Sequence, residues 1–260
     1  MIQGRLGVVP YLNAKPLQFG LRERLPTDAL VEAPPSALAR MLEADQLLAA
    51  LVSSFACFAN VKPLRVLPGI CIASNGPVQS VKLFLRRPMA EVERIGLHTA
   101  SLSSAALARI VVRERFDRDP DFVPFEPGQA SPETDAHLLI GDAAMTTQEP
   151  PVTIDLGEEW QALTGLPFVY ALWGVRETAD DDELRALLLE AKQRGIEHVD
   201  AIAEAESARL GLEENLCRRY LREAIHYDLG EREVQGLALF LDKCKRHDLV
   251  PGEAKIELLP

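Results

Sequence analysis

The sequence predicts an α/β chain folded into two lobes, crossed twice by the chain, with a ligand cleft between them. Three observations predict it. Apolar strand-like runs alternate with amphipathic segments through the first sixty residues; the alternation breaks at Gly76-Pro77 and again at Thr164-Gly165-Leu166-Pro167; and from Asp180 onward the sequence reads as helix. The expected lobes are residues 1–81 with 174–260, the C-terminal helices included, and residues 82–173.

Leu6-Gly7-Val8-Val9 reads as the first strand, followed by Pro10-Tyr11-Leu12-Asn13-Ala14-Lys15-Pro16-Leu17, in which Pro16 suits a first helical turn. Open α/β folds bind ligands at strand-to-helix turns on the carboxyl edge of a parallel sheet, which makes Asn13 a candidate for touching substrate. The alternative is that Asn13 only makes the turn, because asparagine tolerates left-handed backbone angles. Ala29–Ala33 is the second strand, Pro34-Pro35-Ser36 opens a helix with Leu38, Met41 and Leu42 on one face, and Leu47–Val52 is a third, buried strand ending in Ser53-Ser54-Phe55. This order points to a parallel, doubly wound sheet. Ile70–Ala73 is apolar and halted by Ser74-Asn75-Gly76-Pro77, a break that marks the first crossing; Val81, Leu83 and Leu85 then alternate in a new strand.

The pattern restarts with a strand at Arg94–His98 and a helix from Ala105 to Phe116. Between them lie Thr99, Ser101, Ser103 and Ser104. Hydroxyls and unpaired N–H groups at a helix start converge on negative charge, so this turn is either an anion cradle or ordinary capping, which needs one serine. It lacks the glycines and lysine of a P-loop. Asp121–Phe125 reads as a strand, Gly128–Asp135 as a loop, and His137–Asp142 as a buried strand whose Asp142 either orients a ligand or, as the favoured reading, caps a short helix. Thr153–Leu156 and the amphipathic Glu158–Leu163 follow. Phe168–Val175, nearly all apolar, is a central strand that returns the chain to the first lobe, with Tyr170 and Trp173 read as core. The tail carries helices at Glu183–Arg194, Val199–Arg209, Glu213–Ala224 and Glu231–Lys245, whose stripes, such as Leu184, Leu187, Leu188 and Ala191, are expected to pack on the first lobe.

A net charge of −11, with no run of lysine or arginine longer than two, argues against nucleic acid or an anionic membrane as partner and favours a small molecule. Cys57, Cys71, Cys217 and Cys244 have no metal-type spacing and read as free thiols. The N-terminus opens on strand-like sequence, without a leader or a span, so a cytoplasmic protein is expected. His98 and His137 are either bases beside a cleft or structural histidines; no carboxylate stands at useful spacing.

The segments Tyr11-Leu12-Asn13 with Pro16-Leu17, Leu51-Val52-Ser53-Ser54, Leu67-Pro68-Gly69-Ile70, Gly76-Pro77-Val78-Gln79-Ser80, Leu139-Ile140-Gly141-Asp142-Ala143-Ala144, Asp155-Leu156-Gly157 with Trp160, and Thr164 to Val169 occur in this order. Together they resemble the chorismate dehydratase family of the futalosine route to menaquinone. The resemblance implies a fold like the type II periplasmic binding proteins, and a cytoplasmic enzyme that removes water from chorismate to give 3-[(1-carboxyvinyl)oxy]benzoate with no metal or organic cofactor. It maps the functional asparagine onto Asn13, the functional serine onto Ser80, and the hydroxyl-rich turn onto Ser101, Ser103 and Ser104. Substrate binding is further assigned to Tyr11, Ser53, Ser54 and Gly76. Pro10 stands where the family often has serine, and Ala56-Cys57 where an acidic residue and tyrosine are common. The rival readings are the sister enzyme that makes 1,4-dihydroxy-6-naphthoate, expected to lean on a histidine, and a solute-binding protein without turnover.

Overall fold

In the computed structural model, which describes residues 4–59, 64–127, 133–148, 150, 152–176 and 181–259, the strands fall into two sheets. The first is built from β1 (Leu6–Val8), β2 (Leu30–Glu32), β3 (Ala49–Ser53), β4 (Arg65–Ser74), and, much later in the chain, β10 (Phe168–Val175) and β11 (Glu257–Leu258), in the order β11-β4-β10-β3-β1-β2. The second contains β5 (Val81–Leu85), β6 (Arg94–His98), β7 (Asp121–Phe125), β8 (Ala136–Ile140) and β9 (Val152–Asp155), in the order β7-β6-β8-β5-β9.

The expected parallel winding holds only at one side. β1 pairs in parallel with β2 and β3, but β10 runs antiparallel between β3 and β4. The reason lies in the crossings. β4 leaves the first sheet at Ser74 and the chain passes to the second; β10 comes back at the same end, pairing Phe168 with Ser74, and must run the other way. The expected boundary between residues 173 and 174 falls inside this one strand, whose first residue already pairs in the first sheet. Of the expected loop at 128–135, residues 128–132 lie outside the described residues.

Helices cover both sheets. α1 (Leu21–Arg24), α2 (Pro35–Glu43) and α3 (Ser54–Ala59) belong to the first lobe; α4 (Leu102–Phe116), α5 (Gly141–Thr146) and α6 (Leu156–Thr164) to the second. The amphipathic segment expected from Pro16 is only a 3-10 turn, Pro16–Gln18, before α1. The tail forms α7 (Asp181–Glu197), α8 (Val199–Leu210), α9 (Glu214–Arg219), a π-helical turn at Tyr220–Ala224, and α10 (Glu231–Arg246). Leu184, Leu187, Leu188 and Ala191 are buried as their spacing requires.

The lobes are joined by more than the two connections. Trp160 of α6, Phe168 of β10, and Phe58 and Phe240 from α3 and α10 meet edge to face at centroid distances of 4.8–6.1 Å. Such pairs contribute about 0.5–1.5 kcal/mol each beyond burial. Asp155, at the end of β9, accepts Val78 N–H (3.0 Å), Gln79 N–H (2.7 Å), Gly157 N–H (2.9 Å) and Glu158 N–H (3.2 Å), so one carboxylate caps α6 and pins the outgoing crossing. Gly157 must lack a side chain: a Cβ there would stand 2.6 Å from the Gly76 carbonyl oxygen and 2.7 Å from the Tyr170 hydroxyl.

Candidate active site

Each candidate on the turns sits where a strand or crossing ends at the cleft. Beyond β1, Tyr11 is extended and Leu12–Ala14 closes a single 3-10 turn that carries Asn13. Ser53 is the last residue of β3 and its Oγ accepts Ala56 N–H at 3.2 Å, capping α3. Ser80 is fully buried just ahead of β5. Ser101 is the N-cap of α4, accepting Ser104 N–H at 3.3 Å.

Tyr11, Asn13, Ser53, Ser80, Ser101 and Ser104 line one cavity of about 50 Å³, whose apolar walls include Val9, Ile72, Val78, Val81 and Ile140. Residues as far apart in sequence as Tyr11 and Ser104, from both lobes, thus share a hollow. No lysine, arginine, aspartate, glutamate or histidine is among its described lining residues; Tyr11 and Tyr170 are its titratable groups. Burial pushes both phenols above their usual value, Tyr170 well above, so both stay protonated near neutral pH. Asn13 Oδ1 is buried and accepts no hydrogen bond from the described residues. Ser101 Oγ donates to Ser104 Oγ at 3.0 Å, which leaves the Ser104 proton free to point elsewhere.

Three of the expected binding residues are placed otherwise. Ser54 and Ser103 are fully buried against each other, Oγ to Oγ at 2.9 Å; Ser54 Oγ donates to Val169 O at 2.6 Å and Ser103 Oγ accepts Phe55 N–H at 3.0 Å. Their hydroxyls join α3 to α4 and do not line the cavity. Gly76 is needed for its backbone, at φ +126°, and its carbonyl accepts Ser74 Oγ at 3.1 Å. At the α4 start Ser101 caps the helix, and Ser101 and Ser104 line the hollow.

The sequence profile of a family described as menaquinone biosynthesis matches residues 4–246. The chain belongs to that family. A chorismate dehydratase of Thermus thermophilus is 32% identical to this menaquinone biosynthesis protein over 257 residues, covering 91% of the chain and 93% of the relative. Among solved structures, a protein of Archaeoglobus fulgidus superposes with a TM-score of 0.71 at 17% identity, over 95% of this chain and 98% of the other. The periplasmic aliphatic sulphonate binding protein of Escherichia coli gives 0.64 at 15% identity, over 97% and 94%. A Candida albicans protein described as having the generic periplasmic binding protein fold gives 0.61 at 13%, over 100% and 99%. The fold is therefore that of the periplasmic binding proteins.

Other features of the family member depart from the sequence reading. Asp142 does not cap α5. Its Oδ1 accepts Leu12 N–H at 2.9 Å and its Oδ2 meets Arg209 Nη2 of α8 at 2.8 Å, which clasps the second lobe to the turn bearing Asn13. Tyr170, read as core, lines the cavity, with its hydroxyl 3.1 Å from Ser74 Oγ; Trp173 is core. Neither histidine lines the cavity. His98 Nδ1 accepts Ala100 N–H at 3.1 Å, and His137 stacks on Phe84 and Phe125 at 5.8 and 5.0 Å. Burial lowers the pKa of both. Ala56 and Cys57, the departures from the family pattern, are buried in α3. Among the described residues no helix is long and apolar enough to cross a membrane.

Sequence reasoning missed Tyr220. Its fully buried hydroxyl donates to Ser80 Oγ at 2.7 Å, from the π-helical turn in the tail. No motif or spacing in Arg218-Arg219-Tyr220 signals this; only the folded tail brings it to the cleft.

Proposed function

We propose that the protein is a chorismate dehydratase, a hydro-lyase that converts chorismate to 3-[(1-carboxyvinyl)oxy]benzoate and water in menaquinone biosynthesis, working in the cytoplasm. The observation that carries this reading is the convergence of Asn13, Ser80, Ser53, Ser101 and Ser104 from both lobes on one apolar-walled cavity. The likeness to the Thermus thermophilus enzyme supports it.

Chorismate bears two carboxylates and one hydroxyl, and the donor set matches that inventory. The start of α4, with the Ser104 hydroxyl and free backbone N–H groups, suits one carboxylate, and Ser53 suits the other. Hydroxyl donors bind more weakly than an arginine fork, but closure of the lobes lowers the local dielectric and strengthens each bond. Asn13 Oδ1, a buried acceptor without a partner among the described residues, complements the hydroxyl at C4.

Loss of that hydroxyl from C4 and a proton from C3 makes the ring aromatic, so the reaction runs downhill and the protein has only to lower the barrier. The described lining residues supply no group that is a base at neutral pH: the phenols are held protonated, and an amide does not titrate. On this reading Asn13 and Ser80 orient the leaving hydroxyl and stabilise developing charge, worth about 3–4 kcal/mol for an oxyanion-type contact. The C3 proton leaves to the substrate's own side-chain carboxylate or to water. The position of His98 and His137 off the cavity disfavours the histidine-dependent sister reaction.

Incubation of the pure protein with chorismate, followed by absorbance and mass, tests the reading. Formation of the aromatic ether supports it. Tight binding with chorismate recovered unchanged would instead identify a solute-binding protein.

A further inference from the structure

Ser80 and Asn13 share one neighbour outside the cavity lining. Tyr220 donates its phenolic proton to Ser80 Oγ at 2.7 Å, and its π-helical turn packs against the Leu12–Ala14 turn that carries Asn13. The ring is 1% exposed, and it sits at the first position of a π-helical turn closed by Ile225 N–H on the Tyr220 carbonyl at 3.2 Å. π-Helical turns are rare and recur at functional sites.

A hydroxyl has one proton to give and two lone pairs. With Tyr220 donating to it, Ser80 Oγ has one acceptor position filled, and its own proton cannot point back at Tyr220. We infer that Tyr220 is the positioning residue for Ser80: by donating to Ser80 Oγ, its hydroxyl leaves the Ser80 O–H as a donor toward the cavity, beside the buried acceptor Asn13 Oδ1.

This polarity has a chemical use. A leaving hydroxyl that donates to Asn13 Oδ1 while accepting from Ser80 O–H is oriented by the first contact and assisted in departure by the second. Burial raises the Tyr220 pKa, which keeps the phenol a donor throughout. The proton that Ser80 lends is backed by the Tyr220 hydrogen bond, since donation into an oxygen strengthens that oxygen's own O–H as a donor.

The inference rests on the dehydratase reading for its kinetic half and on geometry alone for the other half. The test is Tyr220→Phe, which keeps the ring and removes the hydroxyl, alone and combined with Ser80→Ala. Turnover of chorismate should fall roughly tenfold with KM within about threefold, and the double variant should be no slower than Ser80→Ala alone, because the phenol acts through Ser80. A crystal structure of Tyr220→Phe should show Ser80 in a new rotamer. Wild-type turnover with Ser80 unmoved would overturn the inference, as would losses that add fully in the double variant. If the unaltered protein forms no product from chorismate, the substrate reading fails, and the orientation of Ser80 in the variant still decides the positioning role.

Discussion

Asp142 of the second lobe accepts the backbone N–H of Leu12 in the first at 2.9 Å, directly beside Asn13, and its other oxygen holds Arg209 of α8 at 2.8 Å. One carboxylate therefore closes the cleft at the residue next to the candidate catalytic amide. Arg209 is nearly half exposed, so its share is modest, and the backbone contact carries more. Asp142→Ala should raise KM for chorismate roughly tenfold, from loss of the closed form, while kcat changes little. Steady-state kinetics measures this, and small-angle scattering should show a more expanded unliganded protein. An unchanged KM would remove the clasp from the binding step.

The same clasp shows where sequence reading stops. Asn13, Ser53, Ser80 and Ser101 were legible because each lies at a strand end, a crossing or a helix start, where α/β topology itself directs side chains to the cleft. Asp142 also stands at such a place, but its partner is a backbone N–H 130 positions away, and nothing local distinguishes that from a cap. Tyr220, 140 positions from Ser80, is more distant still and lies in a tail whose pattern speaks only of packing. Among the serines the helical period holds more than was read from it. Ser101 and Ser104, three apart, share a face of α4, whereas Ser103 turns away to α3. The antiparallel β10 was hidden because an apolar run has no direction until the crossing is known.

Asn13→Ala tests the amide at the centre of the site. Removing one buried contact made in the transition state should cut turnover by a factor of about 100 or more, with the thermal midpoint close to that of the unaltered protein. Turnover near the original rate would take Asn13 out of the chemistry. A collapse of the midpoint instead would mark it as a turn residue, the alternative that asparagine's tolerance of left-handed backbone angles raises.

The two kinds of serine should separate in experiment. Ser103→Ala strands the Phe55 N–H, which has Ser103 Oγ as its acceptor at 3.0 Å, so it should cost about 1–3 kcal/mol of stability and leave KM nearly unchanged. Ser104→Ala removes a hydroxyl from the cavity wall, with little burden on the fold, and should raise KM several-fold. Denaturation curves and steady-state kinetics on the pair read the contrast; equal effects on KM would return Ser103 to the binding set.

The histidines give a pH prediction of opposite character for activity and stability. Burial lowers the pKa of His98 and His137 in the folded protein, so the unfolded chain binds protons more readily below its ordinary value of about 6.5. Their contribution to stability is complete above that value and is lost as pH falls from it toward the lowered folded pKa. Since neither ring lines the cavity, kcat should stay flat between about pH 6 and 8 while the thermal midpoint drops on the acid side. His137→Phe keeps a ring stacked between Phe84 and Phe125 and removes the proton site, so it should narrow the difference in midpoint between about pH 8 and pH 5.5 with turnover unaltered. A rate limb near pH 6.5 that this substitution abolishes would make His137 a base after all, and would transfer the proton from the substrate's carboxylate to the protein.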